Sequence, residues 1–241
     1  MHDDRLYQRQ RADLVDELRL KGLRDERVLT AISKVPRHLF VEQALRYRAY
    51  RDEALPIGLK QTISQPFTVA HQTMLLEVHP GDRLLEVGTG SGYQAAVLCE
   101  LGARVFSIER HRPLLERTSK ILDELGYRVI TRHGDGTRGW SGVAPFDGII
   151  VTAAAQEVPK ALKEQLRCPQ AAPESAPSYR NMGNLGGRLV IPVGNVRGQV
   201  MTLITRMGLD SFTYEETHTF RFVPLVSNGE GARFLIVNGE W

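Results

Sequence analysis

The sequence predicts an α/β protein built on a doubly wound parallel sheet flanked by helices, with a helical segment before the sheet and an antiparallel strand at its end. Two observations support this prediction. From residue 83 onward, short apolar runs alternate with helical segments of about ten to fifteen residues, a spacing that requires crossover connections between parallel strands. Near the C-terminus, the stretch SFTYEETHTFRFV alternates like an antiparallel edge strand.

The chain before the sheet is predicted to be helical. Apolar residues between Leu14 and Leu18 recur at helical spacing, and Gly22 is placed to end this helix. A second helix is predicted over Glu26–Ser33, because a proline follows shortly after it. We assign residues 1–55 to an N-terminal helical segment that packs on the main domain.

The stretch LPIGLKQTISQP leads into an apolar run with helical spacing that extends to Val78. A helix that begins here needs a side chain to accept hydrogen bonds from its first amides, and Ser64 or Thr68 could supply that oxygen. A hydroxyl at this place could instead contact a substrate. The residues alone leave both interpretations open.

The alternating part of the chain forms the main domain, residues 56–226. Its elements read in order as strand, helix, strand, helix, strand, strand, helix, strand and strand. The corresponding segments are RLLEVG, SGYQAAVLCELG, ARVFSIE, RPLLERTSKILDELG, YRVITRHG, FDGIIVTAA, EVPKALKEQL, GGRLVIPVG and QVMTLITRM.

One segment interrupts this alternation. Residues 167–184 contain three prolines together with alanines and serines, so we expect a mobile insert there. Residues 227–241 are assigned to a C-terminal extension.

Composition narrows the class of protein. The 241 residues are 42% hydrophobic with a net charge of +3, and the basic residues are scattered among acidic ones, which does not indicate a nucleic-acid partner. Cys99 and Cys168 lie far apart without a CxxC motif, and the seven histidines include no HxxxH pair, so neither a disulfide framework nor a metal site is expected. The sequence shows neither a secretory signal nor an apolar run of about 20 residues, so we expect a cytoplasmic protein without a membrane span.

A glycine-rich turn joins the first strand of the main domain to the next helix. Gly88, Gly90 and Gly92 let the backbone turn tightly and let a ligand approach it closely. A dinucleotide fingerprint would place a glycine at position 93, where Tyr93 stands, and the Gly-Lys-Ser/Thr of a P-loop is absent. The turn therefore does not indicate a phosphate-binding loop.

Three acidic residues surround this turn in the predicted sheet. Glu109 ends the second strand, where a carboxylate can accept both ribose hydroxyls, although it could also be a solvated charge. Glu86 lies inside an apolar strand and needs partners, either loop amides or a cationic ligand. Asp135 could accept from an adenine amino group or simply form a turn. Together they indicate a site that binds a nucleoside but has no phosphate-binding loop. S-adenosylmethionine is a ligand of this kind.

The chain resembles the protein-L-isoaspartate O-methyltransferase family of class I methyltransferases from about residue 12 to residue 226, apart from the insert. The most diagnostic stretch is LPIG…QTISQP, while the glycine turn is shared by many methyltransferases. The other matching stretches are RDERVLTAISKVPRHLFV, AYRDEA, LLEVGTGSGYQAAVL, HGDGTRGW, FDGIIVTAA, GGRLVIPVG and RFVPLV.

The resemblance implies a Rossmann-like methyltransferase sheet and an enzyme that moves a methyl group from S-adenosyl-L-methionine to isoaspartyl residues of damaged proteins and peptides. We also expect a monomer without nucleic-acid, membrane or metal partners. The resemblance places Ser64, the predicted catalytic residue, beside the transferred methyl group and the substrate carboxylate. The residues expected to bind the cofactor are Gln61, Thr62, Ile63, Ser64, Glu86, Gly88, Gly90, Gly92, Glu109, Asp135 and Gly136.

Two other functions are alternatives to this one. A nucleic-acid or small-molecule methyltransferase is an alternative, but the Asn/Asp-Pro-Pro-aromatic motif of amino-group methylases is replaced by VTAAA. A third possibility is a protein that binds S-adenosylmethionine but catalyses no methyl transfer. His38, which follows VPR, is expected to be part of the polar surface.

Overall fold

A seven-stranded sheet forms the centre of the computed structural model, which describes residues 4–169, 186–195 and 198–227. The strands are β1 (Leu55–Gly58), β2 (Gln61–Ile63), β3 (Arg83–Val87), β4 (Arg104–Glu109), β5 (Val129–His133), β6 (Gly148–Val151), β7 (Arg188–Asn195), β8 (Gly198–Arg206) and β9 (Phe212–Phe220). The α-helices are α1 (Arg5–Leu20), α2 (Glu26–Lys34), α3 (Pro66–Leu76), α4 (Tyr93–Glu100), α5 (Arg112–Glu124) and α6 (Lys160–Glu164).

The sheet has the strand order β5-β4-β3-β6-β7-β8-β9, and β1 and β2 form a separate hairpin. Strands β3 to β7 are parallel, whereas β8 is antiparallel to both β7 and β9. The predicted doubly wound sheet with an antiparallel C-terminal strand is therefore confirmed. The chain builds outward from β3 to β5 and then returns to β6 on the other side of β3. Ligands bind at such a reversal, beyond the carboxyl ends of the strands.

Local signals define the N-terminal helices. Helix α1 ends at Leu20. Gly22 follows it with a φ of 96°, which suits the left-handed position, and the amide of Leu23 donates to the carbonyl of Leu18 at 3.2 Å. Helix α2 starts at the Asp25 cap, which accepts from two amides of the first turn. It runs one residue further than predicted, to Lys34, and two short 3-10 helices follow it.

One buried apolar cluster joins the N-terminal segment to the helices beside the sheet. It contains Leu18 and Ile32 from the first two helices together with Val97 from α4 and Leu122 from α5. Residues 170–184 of the predicted insert and residues 228–241 of the predicted extension lie outside the described residues. Within the described part of the chain, no helix is long and apolar enough to cross a membrane.

Candidate active site

Two adjoining pockets lie at the carboxyl ends of β3, β4 and β6. We call the first the glycine-loop pocket, because Gly88, Gly90 and Glu109 line it. We call the second the Ser64 pocket, because it is lined by Ser64 and by residues at the end of β9. The two pockets share three lining residues, which are Thr62, Thr152 and Val223.

The three glycines of the turn have different structural roles. All three have positive φ angles, between 52° and 95°. Gly88 and Gly90 line the glycine-loop pocket, and a Cβ at Gly88 would lie 2.5 Å from the hydroxyl oxygen of Thr152. A Cβ at Gly92 would instead lie 2.7 Å from Cγ2 of Thr118 on α5. Gly92 therefore allows close helix packing and does not line either pocket.

Glu109 holds the turn in place and lines its pocket. Its residue surface is 5% exposed. One carboxylate oxygen accepts from the amide of Gly90 at 2.8 Å, and the other accepts from the amide of His111 at 2.8 Å. It is not a solvated charge at the end of a strand. Each carboxylate oxygen keeps a further acceptor position, because an ionised carboxylate has about four.

Glu86 lies beneath the turn and outside both pockets. It is fully buried, and one carboxyl oxygen accepts from the hydroxyl of Ser107 at 2.5 Å. Ser107 is in turn 2.6 Å from the hydroxyl of Thr89 in the glycine turn. The second carboxyl oxygen has no partner within the described residues. Burial raises the pKa of Glu86 to about 8, against the opposing hydrogen bond from Ser107, so the group carries a proton near neutral pH.

The third acidic residue forms a turn. The carboxylate of Asp135 accepts from the amide and the hydroxyl of Thr137, at 3.0 and 2.7 Å. It thereby caps the short 3-10 helix Gly136–Arg138. Gly136 itself lines the glycine-loop pocket, whereas Asp135 is not among the lining residues.

The predicted residues on strand β2 have different surroundings. Gln61 and Thr62 line the glycine-loop pocket. Ile63 is 2% exposed and belongs to the apolar core, outside both pockets. The structure thus brings Gln61, Thr62 and Ser64 to the two pockets and leaves Ile63 beneath them.

Ser64 does not cap helix α3. The N-cap position is Gln65, and no side chain of the cap residue bonds to the first turn. Instead, the carboxylate of Asp52 accepts from the amide of Phe67 at 2.7 Å. The capping interpretation of Ser64 and Thr68 is therefore wrong. Within the described residues, the hydroxyl of Ser64 makes no hydrogen bond, and Ser64 lines its pocket.

Several residues of the site were not predicted. Thr152 lines both pockets at the end of β6. It is the one polar residue of VTAAA, and a single threonine did not indicate a site. His218, near the end of β9, and Arg221, just after it, line the Ser64 pocket. Arg221 is the first residue of RFVPLV, a motif that supported the resemblance but received no predicted role. Asp52 was missed because it acts on a helix fifteen residues further along the chain.

His38 is not on the surface as predicted. It is fully buried in the N-terminal segment. Its Nδ1 atom lies 2.8 Å from the hydroxyl of Tyr50, and its ring stacks on Tyr7 at a centroid distance of 3.9 Å. It lines neither pocket.

The strand order and the cleft beside the glycine turn define a Rossmann-like α/β protein with its ligand site at the carboxyl ends of the parallel strands. A family model described as Protein-L-isoaspartate(D-aspartate) O-methyltransferase (PCMT) matches residues 9–230. The chain belongs to this family.

Individual relatives agree with the family model. A Salinibacter ruber protein named protein-L-isoaspartate O-methyltransferase is 61% identical over 231 residues, which cover 95% of this chain and 96% of the relative. A Pseudomonas paraeruginosa protein of the same name is 50% identical over 222 residues, covering 91% and 97% of the two chains.

Solved structures show the same fold. A protein-L-isoaspartate O-methyltransferase matches with a TM-score of 0.76 at 26% identity, over 90% of this chain and 66% of the solved chain. A Plasmodium falciparum beta-aspartate methyltransferase, solved in complex with S-adenosyl-L-homocysteine, matches with a TM-score of 0.74. Its identity is 23%, and the match covers 90% of this chain and 99% of that one.

Proposed function

We propose that Ser64 aligns the free carboxylate of an L-isoaspartyl residue for methylation, in a protein that is an S-adenosyl-L-methionine-dependent protein-L-isoaspartate O-methyltransferase. The reaction and its cofactor follow from membership of the family. One structural observation supports the role of Ser64: its hydroxyl, which has no hydrogen-bond partner among the described residues, lines a pocket that meets the glycine-loop pocket at Thr62 and Thr152.

The glycine-loop pocket suits the cofactor. The Glu109 carboxylate is fixed by two amides and keeps acceptor positions for a pair of ribose hydroxyls. Gly88 and Gly90 present backbone to the pocket, and a Cβ at Gly88 would collide with Thr152. We propose that Gln61, Thr62 and Gly136 complete this site. The contact of Asp135 with the adenine amino group stays a prediction.

S-adenosyl-L-methionine supplies an electrophilic methyl group when it is bound. A substrate carboxylate is already ionised near neutral pH, since its ordinary pKa is about 4, so the protein need not provide a general base. The hydroxyl of Ser64 donates a hydrogen bond to one carboxylate oxygen and leaves the other free to attack. A neutral donor orients this nucleophile without neutralising its charge. The main contribution of the site is therefore alignment of the two reacting groups.

Glu86 supports the glycine turn from below. In its protonated form it can stay buried next to Ser107 without a cationic partner. Through Ser107 it is linked to Thr89, which stands between the two glycines of the pocket. We propose that Glu86 contributes to cofactor binding by holding this turn.

The direct test is methyl transfer from labelled cofactor to a synthetic peptide that contains isoaspartate, with the aspartate isomer as the control. We expect transfer to the isoaspartyl peptide alone. Transfer to nucleic acid or to a small molecule, with none to the isoaspartyl peptide, would contradict the substrate. Cofactor binding without transfer to any of them would identify a binding module.

We further propose that the protein works in the cytoplasm as a monomer without a nucleic-acid partner. Its two cysteines, Cys99 and Cys168, are unpaired, which fits a reducing compartment. Sedimentation of the purified full chain should give the mass of one 27.0 kDa chain. A mass of twice that value would contradict the monomer.

A further inference from the structure

The N-terminal segment contacts the backbone around Ser64 at two points. A guanidinium nitrogen of Arg37 donates to the carbonyl of Ser64 at 2.8 Å, and the carboxylate of Asp52 accepts from the amide of Phe67 at 2.7 Å. We propose that Arg37 and Asp52 are positioning residues, which fix the Ser64 hydroxyl and thereby set the rate of methyl transfer without touching substrate or cofactor. This inference rests on the proposed role of Ser64.

Arg37 lies in the core at a considerable energetic cost. It is fully buried, and burial lowers its pKa to about 10, so it stays charged near neutral pH. Its hydrogen bonds within the described residues go to the backbone carbonyls of Ala49, Glu53 and Ser64, and its guanidinium lies 4.8 Å from the ring centre of Tyr93. A single side chain therefore ties the segment 49–53 to the backbone at Ser64.

Asp52 holds the same loop three residues further along the chain. Its side chain is 6% exposed, and its second oxygen accepts from Lys21 at 2.7 Å. The first turn of α3 has no cap from its own N-cap residue, so Asp52 supplies the acceptor from outside the helix. A negative charge is favourable there because the amides at the start of a helix carry partial positive charge.

Both contacts lie just after the Ser64 side chain along the backbone, in the residues that lead into α3. Arg37 fixes the peptide carbonyl of Ser64, and Asp52 fixes the amide three residues later. The hydroxyl itself has no partner within the described residues, so its position follows from the backbone that carries it. An error of about 1 Å in placing a reacting group can cost about a hundredfold in rate. Neither Arg37 nor Asp52 lines a pocket, which separates this role from direct binding.

The test compares Asp52→Ala with Lys21→Met in the full chain. Asp52→Ala removes the acceptor for Phe67, whereas Lys21→Met keeps that acceptor and removes the ion pairs of Lys21 with Asp52 and with Glu17. We expect Asp52→Ala to lower kcat on the isoaspartyl peptide by about tenfold or more. Lys21→Met should stay within about twofold of the unmodified protein. Cofactor affinity, measured by calorimetry, should be unchanged in both variants.

A double-mutant cycle separates positioning from a general loss of structure. If Asp52 acts through the Ser64 hydroxyl, Asp52→Ala should cost little in a protein that already carries Ser64→Ala. Arg37→Lys keeps the charge but cannot reach three carbonyls, so it should show the same coupling to Ser64. Should Arg37→Lys fail to fold, the Asp52 cycle alone decides.

The results are distinguishable. Normal kcat in a folded Asp52→Ala variant would overturn the positioning role, and so would an equal loss with and without the Ser64 hydroxyl. A loss in Lys21→Met as large as in Asp52→Ala would overturn it as well. If the unmodified protein does not methylate the isoaspartyl peptide at all, the proposed function fails instead.

Discussion

At the scale of single residues, the site depends on which polar groups are already bonded within the protein. Glu109 has two amide partners and Glu86 has a neighbouring hydroxyl, whereas the hydroxyl of Ser64 has no partner in the part of the chain that the structure describes. The sequence identified all three as candidates from their positions beside strands and turns. The hydrogen-bond partners of these side chains could not be predicted from the sequence. Glu86 and Ser107, for example, are 21 residues apart and meet only because β3 pairs with β4.

Removing the hydroxyl of Ser64 should affect rate and leave stability unchanged. Ser64→Ala breaks no hydrogen bond within the described residues, so the melting temperature should stay within about a degree. Turnover on the isoaspartyl peptide should fall by about a hundredfold, because the carboxylate loses its orienting donor. Ser64→Thr keeps the hydroxyl but adds a methyl group, and we expect partial activity. Near-normal turnover in Ser64→Ala would contradict the proposed role.

Glu109 should govern cofactor affinity. Glu109→Ala removes the acceptor for the ribose hydroxyls and for the amides of Gly90 and His111. We expect calorimetry to show cofactor binding weaker by about 1.5–3 kcal/mol, the scale of charged hydrogen bonds. Glu109→Gln, which keeps one oxygen, is the matched control and should lose less. Unchanged affinity in Glu109→Ala would remove this residue from the site.

At the scale of elements, the sequence predicted what local signals determine. The strand and helix alternation, the stop at Gly22 and the antiparallel last strand follow from periodicity and capping, and all are present. The hairpin of β1 and β2 was not predicted. At its tip Leu59 and Lys60 have φ angles of 52° and 57°, which side chains other than glycine rarely adopt, so the residues gave no turn signal.

The packing of α4 against α5 should depend on Gly92 for two reasons. An alanine there would take up a positive φ and bring its Cβ to 2.7 Å from Thr118 and 3.3 Å from Leu122. Gly126 is the matched control, because its φ is 79° and a Cβ there would have no neighbour within 4 Å. Gly126→Ala should cost about 1 kcal/mol of unfolding free energy from backbone strain alone. Chemical denaturation should show a clearly larger loss for Gly92→Ala, and equal losses would contradict the packing role.

At the scale of the whole molecule, two buried ionisable groups should shape the dependence of stability on pH. Burial raises the pKa of Glu86 from 4.5 to about 8, with Glu109 adding to the effect. Burial lowers the pKa of His71 from 6.5 to about 4, with nearby His218 adding to it. Neither partner could be predicted from the sequence, because His71 lies on α3 and His218 on β9, and only the assembled sheet brings them together.

The two groups act in opposite directions. Between about pH 4.5 and 8 folded Glu86 keeps a proton that the unfolded chain has lost, so its contribution to stability falls as the pH rises. Between about pH 4 and 6.5 the unfolded chain holds a proton that folded His71 does not, so the contribution of His71 rises with pH. Each slope is about 1.4 kcal/mol per pH unit, and they oppose each other where the windows overlap.

Two isosteric variants should separate these slopes. Glu86→Gln resembles the protonated acid, so its stability relative to the unmodified protein should increase from pH 6.5 to pH 8, where the His71 window has ended. His71→Phe keeps a buried ring without the titrating nitrogens, and its relative stability should be greatest near pH 4 and fall toward pH 6.5. Chemical denaturation of the three proteins at pH 4, 5, 6.5 and 8 gives both differences. If the free energy of Glu86→Gln runs parallel to that of the unmodified protein between pH 6.5 and 8, Glu86 is not the protonated support of the glycine turn.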